Sequence, residues 1–485
     1  MTALTLALRD ATALMTTGGD ARIVLRPETG LNRYHSAPRP SRVLAYASST
    51  ANDISPAAFD HVRALLAGLG PGLSGPTYSE RLDALRGRIR RAYAVPDAVD
   101  IVFAPSGTDL EYVALACAAG RGRGGIHNIL LGADEVGSGC IHSAHGRYFA
   151  RETALGFGTV PGDPVPGVGE THVEMIDVPV RDGHGRARPS AEIAARMDRA
   201  IAGCEAAGRH VLIHVVHGSK TGLILPSLAD MDRLAAKNGD SVTFVVDACQ
   251  ARITSPAIAG YLDRDSIVFV TGSKFMGGPP FSGFALVPRR FREESRPLAR
   301  GLATIFRRGE WPRGWPGAEA LDDGANPGLL LRLEASIFEL ERFQRLSMDE
   351  VARIILSFHQ AVRDEIVGPT PAHRVAPYPP GEKETADTHP IEMRTLSTLD
   401  LSEFSGGATF EDSARWHMAL LDHGVRLGQP VKCVKLDDGS WGATLRVGLS
   451  MPMVVERSGL GDEALRRSFA GDMARIRSAL EAVAG

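Results

Sequence analysis

Cysteine is scarce in this chain: Cys117, Cys140, Cys204, Cys249 and Cys433 are all there is in 485 residues. The number is odd, the positions are scattered and no CxxC occurs, which argues against a disulfide framework and against a structural zinc site. Free thiols suit a reducing compartment, so the cytoplasm is the expected location. Long hydrophobic runs are missing as well. No apolar stretch reaches the ~18 residues that a membrane span needs. The first twenty residues lack the basic start and apolar run of a secretory leader, with Arg9 and Asp10 interrupting them. Neither sign of charge is in excess: 54 Lys and Arg against 57 Asp and Glu leave −3, no chain-wide footprint for nucleic acid. Internal repeats and low-complexity tracts are absent too.

What is present reads as an ordinary globular enzyme-sized chain, 44% hydrophobic and 23% charged. Its length implies two or more domains at ~100–200 residues each. Short β-branched runs alternate with Ala/Leu/Arg segments of helical period through the first two-thirds. Strands are expected at Asp100–Phe103, Asn128–Leu131, Val211–Val216, Val242–Val246, Ser266–Val270 and Gly283–Val287. Helices are expected at Pro56–Gly68, Ser79–Tyr93, Asp109–Ala119, Ser190–Ala207 and Ser227–Asn238. Such alternation with apolar strands implies a mostly parallel sheet covered on both faces. Two Gly/Pro/charge-rich stretches, Gly156–His172 and Pro377–Pro390, read as loops that supply no core. One long helix is expected over Leu330–Val367, then a strand at Ile391–Leu396, a helix at Phe410–Leu421, a strand at Ala443–Leu449 and a final helix over Asp462–Val483. The expected division is an N-terminal arm (1–50), a large α/β domain (51–335) and a small C-terminal α+β domain (336–485).

Ligands of open α/β sheets bind beyond the carboxyl ends of the strands, so the residues just past each strand carry the most information. Asp247-Ala-Cys-Gln250 comes after one. A carboxylate there is costly unless paired, and a protonated ring nitrogen would pair it; a helix N-cap is the plainer alternative. Thr271-Gly-Ser-Lys274 comes after the next strand and leads into a Gly/Pro run that lets backbone approach a ligand. Burial makes a lysine amine nucleophilic, as Schiff-base chemistry requires, and Thr271 and Ser273 are small hydroxyl donors suited to phosphate. Ser106, Gly107 and Thr108 open a helix and form an anion site; the alternative is capping by Ser106 or Thr108, with Glu111 completing a capping box. Gly120–Gly125 matches GxGxxG but comes after a helix, which fails the dinucleotide test. Cys140, His142 and His145 lack a fourth metal ligand, and no metal is expected.

The order PSGTDLE (Pro105–Glu111), VVDACQ (Val245–Gln250), TGSKFMGGPP (Thr271–Pro280) resembles the fold-type I enzymes of pyridoxal 5′-phosphate (PLP), nearest to the class V aminotransferase and cysteine desulfurase branch. GSKTGLILPSLADMDRLA and ATLRVGLSM extend the resemblance, from about Pro56 to the end. It implies a PLP Schiff base on Lys274, Asp247 on the pyridine nitrogen and Gln250 on the phenolic oxygen. Phosphate contacts fall to Ser106, Gly107, Thr108, Thr271 and Ser273, and Arg446 grips the substrate carboxylate in bidentate geometry. His142 is favoured over Val136 and Ser138 to stack on the ring. Where the family has Asn-Asn-Glu, this chain has Gly218-Ser219-Lys220, and Ser219 and Lys220 are expected at the substrate.

The activity so implied is chemistry on an amino acid through an external aldimine. Transamination leads, elimination or replacement at the β or γ carbon comes second, and desulfuration by Cys433 or a non-catalytic PLP-binding role are the remaining alternatives. The resemblance further implies a homodimer, with Tyr78 or the segment Gly324–Gly328 of a second copy completing the phosphate site; no nucleic-acid or membrane partner is expected.

Overall fold

The computed structural model describes residues 10–69, 72–133, 135–137, 139–168, 172–205, 207–382, 385 and 389–485. The strands among them are, in chain order, β1 (Leu44–Tyr46), β2 (Val99–Ala104), β3 (Ile126–Leu131), β4 (Val173–Val178), β5 (His210–His217), β6 (Ile224–Leu225), β7 (Val242–Asp247), β8 (Ile267–Thr271), β9 (Gly283–Pro288), β10 (His373–Val375), β11 (Leu396–Asp400), β12 (Val425–Leu427) and β13 (Thr444–Gly448). β2, β5 and β8 are buried at every residue, as strands covered on both faces must be. The main sheet runs β2-β9-β8-β7-β5-β3-β4, with β6 paired to β5. The pairs β7–β8, β5–β7, β3–β5 and β3–β4 are parallel. β9 is antiparallel to both its neighbours. The carboxyl ends of β2, β3, β5, β7 and β8 therefore share one edge.

Helices Pro56–Gly68, Gly75–Tyr93, Leu110–Ala118, Ser190–Glu205 and Leu228–Asn238 stand where the apolar periodicity puts them, within a few residues at their ends. The single helix expected over Leu330–Val367 is corrected to two, Pro327–Phe343 and Met348–Val362. The second starts at Ser347, whose hydroxyl accepts the Glu350 N–H at 3.2 Å. Residues Ile391–Thr395 form a 3₁₀ turn, and the strand expected there begins only at Leu396. The Gly156–His172 stretch does supply core after all: Val165 and Val168 are buried in a cluster with Leu302, Phe306 and Trp315.

A second sheet, β10-β11-β13, is antiparallel and packs with helices Met348–Val362 and Asp462–Ala484 around Phe358, Leu445 and Phe469. β13 is the strand that carries Arg446, opposite Thr398 of β11. The helix Pro327–Phe343 crosses residue 335, and its buried Leu330, Leu333, Ile337 and Leu340 join the core of the main sheet. The arm lies on this helix: Leu14 and Met15 pack with Val62, Leu331 and Ala335. The fully buried Arg332 donates to the carbonyls of Met15 (2.8 Å), Thr17 (2.6 Å) and Gly18 (2.8 Å). β1, at the end of the arm, adds in parallel to β12.

Candidate active site

Strand register brings the separate loops together. Ala104 of β2 pairs with Gly283 of β9, which pairs with Thr271 of β8. A side chain on Gly283 would stand 2.9 Å from the Ser106 carbonyl, so glycine there is what lets the loop after β2 lie against the end of β8. The result is a cavity of about 290 Å³ at the common strand edge. Its wall includes Ser106, Gly107, Thr108, Asp247, Gln250, Thr271, Ser273, Lys274, Ser219, Lys220 and Arg446.

At the loop after β2, the Ser106 hydroxyl donates to Asp109 at 2.5 Å, and Glu111 makes no capping-box bond. Burial pushes the Asp109 carboxyl up to about 7, against the Ser106 bond. Glu111 instead lines the cavity, with burial and the nearby Asp247 holding its carboxyl well above the usual range. Its Oε2 lies 3.2 Å from His214 Nε2.

Asp247 ends β7 without capping a helix, since the next helix, Ser255–Leu262, is capped by Thr254. Its Oδ1 accepts the Cys249 N–H at 2.9 Å, and no cation comes within ion-pair distance of it among the described residues. Gln250 is held at both ends. Its Oε1 accepts from Arg252 at 2.7 Å and its Nε2 donates to the Ser49 carbonyl at 3.3 Å. Asn52 donates to the carbonyls of Ser273 (3.0 Å) and Lys274 (2.6 Å), which fixes the backbone of the lysine. Burial lowers the Lys274 pKa; Cys249 and Asp247 oppose this and the like charge of Arg446 adds to it.

Arg446 donates from Nε to Gln429 O (2.8 Å), from Nη1 to Ser49 O (3.3 Å) and Lys220 O (3.2 Å), and from Nη2 to Thr50 Oγ1 (3.1 Å). All four acceptors are uncharged, and burial brings its pKa down to about 10. A guanidinium has five N–H groups, so one on Nη2 remains for a ligand. A bidentate grip would need Nη1 to exchange one of its two long bonds. Ser219 gives its hydroxyl to Glu135 Oε2 at 2.7 Å, and Glu135 also pairs with Arg181 at 2.6 Å. Burial, and then Arg446, lower the Lys220 amine.

His142 is exposed and outside the cavity wall, which corrects the expectation that it stacks on a ring. Residues two apart on a helix point to nearly opposite sides, and in Cys140–Ala144 it is Cys140 that faces the cavity. Val136 lines the wall; Ser138 lies outside the described residues. Tyr78 is corrected too: it is fully buried and its hydroxyl donates to Glu310 at 2.9 Å, so it is closed to a second copy. Asn326, of the segment Gly324–Gly328, caps its own helix and donates to Gly18 O at 3.3 Å. The wall also contains Glu111, from the motif Pro105–Glu111, and Tyr34, Ser49, Arg22 and Thr50 from the arm, with Gln429; of these, Arg22, Thr50 and Gln429 were announced by no motif. The irregular backbone of the arm has no period to read.

No family model and no curated protein matches the sequence. Solved structures do. A cysteine desulfurase from Escherichia coli is 15% identical, with a TM-score of 0.56 over 91% of this chain and 95% of its own. A cysteine desulfurase from Thermococcus onnurineus NA1 is 14% identical, with a TM-score of 0.55 over 90% and 95%. A serine palmitoyltransferase from S. paucimobilis, with PLP and myriocin bound, is 14% identical, with a TM-score of 0.50 over 88% and 84%. The fold is that of the fold-type I PLP-dependent enzymes. No helix among the described residues is long and apolar enough to cross a membrane.

Proposed function

We propose that this chain is a PLP-dependent enzyme acting on an α-amino acid, and that its reaction is transamination. The observation that carries this is one cavity wall holding a half-buried lysine with a lowered pKa and, among the described residues, a strand-end carboxylate with no ion-paired cation and an arginine with no ion-paired anion. PLP when bound supplies an aldehyde that condenses with amines and a protonated ring that draws electrons from the α-carbon. Lys274 would be the amine for that aldehyde and, when free, the base that moves a proton at the α-carbon. Asp247 would hold the proton on the ring nitrogen, and Gln250, its amide set by Arg252 and Ser49, would meet the phenolic oxygen. Ser106, Gly107, Thr108, Thr271 and Ser273 hold the phosphate, and the remaining Arg446 N–H receives the α-carboxylate.

Elimination or replacement at the β or γ carbon is the second reading, supported by Lys220. A second half-buried amine with a lowered pKa on the wall suits an extra proton transfer. Cys433 offers no support for desulfuration: it is 4% exposed, off the cavity wall, and burial pushes its thiol up to about 12. A homodimer in the cytoplasm completes the proposal.

Single turnover of the PLP-loaded protein with a panel of amino acids tests the reaction type. Transamination yields pyridoxamine phosphate and a 2-oxo acid in equal amounts. Release of ammonia or a thiol with no pyridoxamine phosphate would replace it with the second reading.

A further inference from the structure

The cavity has cationic side chains at two poles. Arg446 stands at one, among Ser49, Thr50, Lys220 and Gln429. Arg22, from the arm, stands at the other. Its Nε bonds Asp20 Oδ1 at 2.9 Å and its Nη2 bonds Asp20 Oδ2 at 2.7 Å. Its guanidinium carbon is 5.0 Å from the Phe149 ring centroid and 4.7 Å from that of Phe281. A guanidinium forked onto a carboxylate along one edge and held by two rings is fixed in place. Its Nη1 has no protein partner among the described residues.

Its neighbours locate it. A side chain on Gly139 would lie 2.9 Å from Thr108 Cγ2 and 3.4 Å from Phe149 Cδ2, so Phe149 and Thr108 flank one spot. Phe281 sits in the loop between Lys274 and Gly283, the residue against which Ser106 packs. Arg22 therefore faces the phosphate loop and not the Arg446 pole. The other donors at that loop, Ser106, Thr108, Thr271 and Ser273, are neutral hydroxyls. Lys274 is committed to the aldehyde, and the charge that bears most on the Lys220 amine is that of Arg446, at the opposite pole. A phosphate dianion held only by hydroxyls and helix N–H groups lacks a counter-cation, and Arg22 is placed to be it.

We propose that Arg22, carried by the N-terminal arm, is the cation that closes the phosphate pole of the cofactor cavity. The inference rests on the PLP reading above. It makes cofactor capture depend on the arm of the same chain, and it gives Asp20 the task of holding the guanidinium in plane.

The test compares PLP with pyridoxal, which has the aldehyde and no phosphate. Dissociation constants are measured by absorbance for the wild-type protein, Arg22→Gln, Arg22→Lys and Asp20→Asn, with thermal melts to confirm folding. Arg22→Gln is expected to weaken PLP at least tenfold and leave pyridoxal unchanged, with Arg22→Lys and Asp20→Asn weakening PLP less. An unchanged PLP-to-pyridoxal ratio, whether both constants hold or both rise together, overturns the proposal. So does a rise in substrate KM with PLP affinity unchanged, which would assign Arg22 to a substrate anion. Failure of the wild-type protein to take either aldehyde on Lys274 would instead defeat the reading on which the inference rests.

Discussion

At the scale of the residue, Arg446 and Lys274 are coupled as like charges in a buried space, and this gives two linked predictions. On the proposed reading, Arg446→Gln removes a charge-assisted bond to the substrate carboxylate, worth roughly 1.5–3 kcal/mol, so KM should rise about 10- to 100-fold. It also removes one of the causes that lower the Lys274 amine. The wild-type amine is lowered from 10.5, so its reactive neutral form persists to lower pH than in an ordinary lysine. The rate of PLP capture against pH should therefore show its midpoint below 10.5, and Arg446→Gln should move that midpoint upward. A midpoint unmoved by the substitution would mean that the two charges do not interact.

The positions of Lys274, Asp247, Gln250 and Arg446 on the cavity wall were legible because each ends a strand, follows one within three residues or sits on one, and strands announce themselves by apolar runs. The wall contributed by Arg22, Thr50 and Gln429 was not, because those residues reach the cavity only through tertiary packing. His142 was misplaced for a similar reason: a five-residue helix in which Cys140 faces inward leaves His142 outside, and nothing in the local residue types says which face that is.

At the scale of the element, the loop after β8 is held by packing on helix Pro327–Phe343. A Cβ on Gly272 would overlap the Ser336 side chain, and one on Gly278 would come within 3.0 Å of the Gly272 carbonyl. Gly272→Ala should cost about 1–3 kcal/mol through overpacking and displace the adjacent Ser273 and Lys274, weakening PLP binding. Ser336→Gly in the same chain should restore much of both losses, as a denaturation series and a PLP titration of the double variant would show. Equal losses in the single and double variants would place the strain elsewhere. The main-sheet strands that carry the site were readable to within a residue or two at each end. The short strands β1, β6, β10 and β12 were not, since two or three residues carry no period, and neither was β4, where Glu174 and Asp177 interrupt the apolar run. The long helix read as continuous across Ser347 because its apolar positions on either side keep helical spacing, and only the capping bond of Ser347 to Glu350 breaks it.

At the scale of the whole molecule, Arg332 ties down the first part of the arm. Arg332 is fully buried, has no carboxylate within ion-pair distance among the described residues, and burial lowers its pKa to about 9. It spends its N–H groups on the carbonyls of Met15, Thr17, Gly18 and Phe281. Arg332→Met would remove this donor from the carbonyls of Met15, Thr17 and Phe281, at about 1–3 kcal/mol for each buried group. Trypsin should then cut after Arg22 at least several-fold faster than in the wild type, while the thermal transition of the rest of the fold persists. Unchanged cleavage would show that Arg332 does not hold this part of the arm in place.

The most direct test of the central claim is chemical trapping. The purified protein is incubated with PLP, reduced with borohydride and digested, and the modified peptide is located by mass. The account predicts one phosphopyridoxyl group, on Lys274, lost in Lys274→Ala. An unmodified Lys274, with label absent or spread over surface lysines, would contradict it.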